Sequence, residues 1–74
     1  MKESYTVTVQ KGRLQQQDTF ATFEVLAAEY YNYGARMWKV LKLESSAGYE
    51  LTPEQERFLA RQYSKGGYHW PPLI

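Results

Sequence analysis

The sequence contains no cysteine and a single histidine. The first absence excludes disulfides and thiolate metal centres. The second leaves too few ligands for the usual zinc sets. It also leaves nucleophilic catalysis with His69 alone, which no motif places beside a serine and an acid. Glu50, Glu54 and Glu56 lack the spacing of a calcium loop. Lys65-Gly66-Gly67 closes a helical pattern instead of opening one, so it is not a phosphate loop. No apolar run approaches the ~20 residues of a membrane span. Met1-Lys2-Glu3-Ser4-Tyr5 has no apolar segment of a signal peptide. A net charge of +1 gives no general attraction to phosphate polymers. These absences predict a non-enzymatic, cofactor-free, metal-free chain with no membrane partner. A small domain without cysteine fits the reducing cytoplasm.

What is present suits one small α+β domain. The 74 residues allow a single core, 43% of them are hydrophobic, and 16% are aromatic. Residues 4–10 alternate, with Tyr5, Val7 and Val9 on one face and Thr6, Thr8 and Gln10 on the other, which reads as a half-buried strand. Gly12 marks the turn after it. Residues 14–18, Leu-Gln-Gln-Gln-Asp, read as a polar connector. Residues 19–26 return to β-branched and aromatic types and read as the second strand of a hairpin.

Residues 27–44 admit two readings. Glu29, Asn32, Arg36 and Lys39 make a polar stripe at helical spacing, opposite Ala27, Tyr30, Gly34, Met37, Trp38 and Leu41. The composition suits a middle helix, although Gly34 costs about 1 kcal/mol relative to Ala inside one. The alternative makes Asn32-Tyr33-Gly34 a turn and 38–43 a third antiparallel strand, leaving one helix. Residues 45–51 read as a loop. Thr52-Pro53-Glu54-Gln55 then gives an N-cap threonine, a proline in the first turn and a glutamine three residues after the cap. Phe58, Leu59 and Tyr63 form the buried stripe of that helix, and Gly66-Gly67 stop it. The predicted core is Tyr5, Val7, Val9, Phe23, Val25, Leu41, Phe58 and Leu59. The domain is expected to span 1–67, followed by an apolar tail, 68–74, in which Pro71-Pro72 impose an extended path.

The opening, Glu3-Ser4-Tyr5-Thr6-Val7-Thr8-Val9-Gln10-Lys11-Gly12, is similar to hairpins that begin many small bacterial and phage proteins. That resemblance implies a bacterial or phage setting and says nothing about activity.

Seven tyrosines in so short a chain exceed what one small interior is expected to hide. Tyr and Trp favour interface centres. The sequence therefore predicts a protein-binding module whose anchors are Tyr30, Tyr31, Tyr33, Trp70, Leu73 and Ile74, with another protein or a second copy as partner. The alternative is a nucleic-acid-binding protein using Arg36, Lys39 and Lys42 beside the neighbouring tyrosines, which would stack bases while the cations hold phosphates.

Overall fold

The computed structural model describes residues 2–66. Strand β1 (Tyr5–Lys11) buries Tyr5, Val7 and Val9, the face its alternation predicts. A two-residue turn, Gly12-Arg13, joins it to β2 (Leu14–Phe20), with Lys11 paired to Leu14 and Tyr5 to Phe20. Gly12 has φ +61°, and Arg13 does not share the positive φ. That is the type II′ pattern, whose twist suits a hairpin.

The hairpin is present, but its second strand is not where the sequence put it. Residues 14–18, expected as a connector, are strand. Residues 19–26, expected as strand, hold only the end of β2 and then enter a helix. The reason is position in the sheet. An edge strand needs neither β-branched nor aromatic side chains on its open side. Gln15, Gln16 and Gln17 are all exposed on this edge strand, Gln15 and Gln17 on the uncovered face, at no cost in buried polar groups.

Helix α1 (Phe23–Ala35) starts at Thr22, whose Oγ1 accepts from the Val25 N–H at 3.3 Å. The Glu3 carboxylate accepts from the Phe23 N–H at 3.2 Å and from the Tyr5 hydroxyl at 2.7 Å, tying the helix start to β1. Leu26, Ala27, Tyr30, Tyr33 and Gly34 recur at helical spacing and are buried. The helix ends in a Schellman motif. Trp38 N–H donates to the Tyr33 carbonyl at 2.9 Å and Met37 N–H to the Gly34 carbonyl at 3.3 Å. Met37 carries φ 63° in the position that glycine usually takes.

Strand β3 (Lys39–Ser45) pairs antiparallel with the other side of β1, giving the order β2-β1-β3. Both readings of 27–44 therefore hold in part. A middle helix exists but starts earlier and stops at Ala35, and a third strand follows it. Asn32-Tyr33-Gly34 is the last helical turn. Helix α2 (Pro53–Lys65) has the capping box its sequence announces. Thr52 Oγ1 accepts from Gln55 N–H at 3.1 Å, and Gln55 Oε1 accepts from Thr52 N–H at 2.9 Å.

The helices lie together on one face of the sheet. Phe23 meets Phe58 with ring centroids 6.1 Å apart, and Tyr30 meets Tyr63 at 6.2 Å. At Gly34 the approach is close enough that a Cβ would collide with the Tyr63 carbonyl oxygen. Tyr5, Val7, Val9, Leu26, Ala27, Tyr30, Tyr33, Leu59 and Tyr63 form the core. Four of the eight predicted core residues depart from it. Phe23 is half-buried, while Val25, Leu41 and Phe58 are exposed. Val25 falls between the buried positions of α1, and Leu41 sits where β3 bulges. Among the described residues, no helix is long and apolar enough to cross a membrane.

Candidate functional site: the groove between β3 and α2

The two faces of the sheet differ in chemistry. The uncovered face carries Thr6, Thr8 and Gln10 from β1, with Gln15, Gln17 and Thr19 beside them on β2. Thr6 Oγ1 lies 3.1 Å from Thr19 Oγ1, and Gln17 donates to Thr8 Oγ1 at 3.3 Å. Lys39, Lys42 and Glu44 complete this face from β3, opposite Gln10, Thr8 and Thr6. Lys42 Nζ is 3.5 Å from Glu44 Oε2. Arg36, by contrast, caps α1 in the helical layer. The three cations of the nucleic-acid alternative thus divide between two layers.

The tyrosine cluster also divides. Tyr30 and Tyr33 point into the core, and only Tyr31, 46% exposed, faces out. The hydroxyls of three buried tyrosines, Tyr5, Tyr33 and Tyr63, show how a small interior takes so many rings. Tyr33 donates to Asp18 Oδ2 at 2.5 Å, Tyr5 to Glu3, and Tyr63 to the Trp38 carbonyl. Each ring buries its body and keeps a partner for its polar tip. Trp70, Leu73 and Ile74, together with the whole expected tail and its boundary at 67, lie outside the described residues.

The helix-covered face holds the feature with the clearest capacity to bind. An open groove of about 510 Å³ runs between β3 and α2. Val40, Leu43 and Ser45 form its strand wall, Leu59, Ala60 and Tyr63 its helix wall, and Tyr30 and Leu51 also line it. Glu50, from the loop between β3 and α2, and Glu56, from α2, line it as well. Burial pushes the Tyr30 hydroxyl well above its ordinary range, and neighbouring Tyr63 and Glu56 add to the effect. It stays protonated at neutral pH. The lining is mostly apolar with a few polar groups, the usual make-up of a ligand pocket.

The strand wall is also a sheet edge. Ser46 N–H donates to the Ser4 carbonyl at 2.9 Å, next to the Tyr5–Ser45 pair. In an antiparallel ladder, successive residues turn their backbone groups alternately toward the neighbour and away. Glu44 and Lys42 therefore address β1, while Leu43 and Ser45 direct N–H and C=O outward. Among the described residues, no strand pairs with that side of β3. Sequence reasoning did not find this site, because its walls come from three separate segments. Among the described residues, no group of three His, Cys, Asp or Glu is placed to hold a metal ion. No protein-family model, curated protein or solved structure matches the chain.

Proposed function

We propose that the protein is a small non-enzymatic protein-binding module that receives an extended protein segment along β3, with side chains entering the groove beside α2. The observation that carries this reading is the coincidence of a strand edge that no described residue pairs with and an open apolar groove. Strand addition uses both parts: main-chain hydrogen bonds supply affinity, and pockets for alternate side chains supply selection. Leu43 serves both, since its backbone faces outward and its side chain lines the groove.

The test uses random peptides displayed on phage and selected against the immobilised chain. Selected peptides should shift the amide resonances of Leu43 and Ser45 and the methyl resonances of Leu51 and Leu59. Ala60→Trp, which fills the groove, should abolish capture while circular dichroism stays unchanged. Peptides that bind but shift only the opposite sheet face would show that the docking site lies elsewhere.

A further inference from the structure

We infer that the strand received at β3 is β3 of a second copy, paired antiparallel about a two-fold axis through Leu43. The inference rests on the proposed docking at β3 and names its partner. An isologous contact must be self-complementary: whatever residue i meets in j, j must meet in i. The charges of the regular stretch of β3, Lys42–Ser45, satisfy that condition in one register. With Leu43 opposite the partner's Leu43, Lys42 faces the partner's Glu44, and Glu44 faces the partner's Lys42. All four side chains lie on the uncovered face and are well exposed, at 63% for Lys42 and 56% for Glu44. Opposite charges directly across a strand pair stabilise it, and like charges destabilise it.

Neighbouring registers fail the same test. An axis through Lys42 sets two lysines face to face, and an axis through Glu44 sets two glutamates face to face. The backbone selects the same centre, because Leu43 is an outward-facing residue and can exchange N–H···O=C bonds reciprocally with its counterpart. The bulge falls at the Thr8/Val9 step of β1, around Leu41, so Lys42–Ser45 stay regular for pairing. Leu41, 41% exposed, would lie near the seam. Because the axis is perpendicular to the sheet, both helical layers lie on the same side. The result is a six-stranded sheet, β2-β1-β3-β3-β1-β2, and one pooled groove with α2 of each copy on its flanks. Glu50, from the loop after β3, and Glu56, from α2, line each half of that groove.

The experiment is sedimentation equilibrium of the full chain over a range of concentrations, with two charge variants. K42E places glutamate opposite the partner's Glu44, and E44K places lysine opposite the partner's Lys42. Each alone should raise the dimer dissociation constant by roughly tenfold or more, since two cross-strand pairs turn repulsive. An equimolar mixture of the two should associate again, as a heterodimer, and the doubly swapped chain should behave like the original. Both positions are exposed, so folding is not at stake. A chain that stays monomeric throughout, or single variants that associate as well as the original, would overturn the inference. If that happens while selected peptides still shift Leu43 and Ser45, only the self-pairing is wrong. If the peptides bind elsewhere too, the groove reading falls with it.

Discussion

Helices α1 and α2 have the same length, 13 residues, and each begins after a threonine cap, yet they are held in place by different means. Helix α2 is specified locally. Its capping box closes both ends of a four-residue window, Glu54 and Glu56 suit the positive end of the helix dipole, and Lys65 suits the negative end. Helix α1 is specified by its neighbours. Its last turn carries no basic residue, its start borrows the carboxylate of Glu3, and it buries five residues between the sheet and α2. The difference teaches where each helix is vulnerable. Helix α2 should tolerate changes on its outer face, and α1 should fail through groups that cannot change size or charge.

Alkali provides the strongest means of separating the two. Tyr30 and Tyr33 on α1 both titrate above the ordinary tyrosine range. For each, burial is the main cause. Tyr63 and Glu56 add to it at Tyr30, and the hydrogen bond to Asp18 adds to it at Tyr33. Tyr5, hydrogen-bonded to Glu3 and buried, is pushed up to about 12 from 10.0. A tyrosine raised in the folded state stabilises it fully below the unfolded value near 10 and loses that contribution as pH climbs through the folded value. Stability should therefore hold to about pH 10 and then fall through about 12 and beyond. Tyrosinate absorbance should rise cooperatively together with loss of helical circular dichroism. Gradual ionisation of every tyrosine in a chain that keeps its helices would contradict the assigned burial.

Gly34→Ala should produce the next largest effect, a loss of about 3 kcal/mol at the upper end of overpacking costs. The new methyl meets the Tyr63 backbone carbonyl, which has no rotamer to retreat into. Urea denaturation would measure the change. An exposed control on α2, Arg61→Ala, should stay within about 0.5 kcal/mol. Equal effects at the two sites would mean that α1 is not clamped at its C-terminal end.

The same contrast explains which parts of the sequence were legible. The cap of α2 is written in four consecutive residues, and β1 in strict alternation, so both were readable without the rest of the chain. Gly34 was not. Its local cost argues for a turn, and only the distant carbonyl of Tyr63 shows why a glycine stands inside a helix. Residues 14–18 looked like a connector because edge strands need little apolar character, a property of the sheet and not of the segment. Thr22 and Glu24 did carry a helix-start signal, masked by the β-branched and aromatic residues around them. Tyr33 looked surplus because a ring count ignores the hydroxyl's need for a partner at the core's margin, which Asp18 supplies. The groove had no local signature. Leu43, Leu51 and Leu59 become neighbours only after the fold closes, and β3 becomes an edge only after β1 has chosen both its partners.

Met37 is the smallest of these effects and reverses the expected direction. It occupies the left-handed position of the α1 cap at φ 63°, where a side chain is disfavoured, and it is 63% exposed, so little packing compensates. Met37→Gly should relieve that conformation and stabilise the fold by about 1 kcal/mol. The gain is limited because glycine also adds freedom to the unfolded chain. The Schellman bonds from Met37 and Trp38 are made by backbone N–H groups and survive the change. A higher midpoint in urea with unchanged slope would establish that α1 carries strain at its exit. A lower midpoint would mean that the Met37 side chain, exposed as it is, holds the end of α1 against the turn of the first hairpin, whose Lys11 and Gly12 share a small cavity with it.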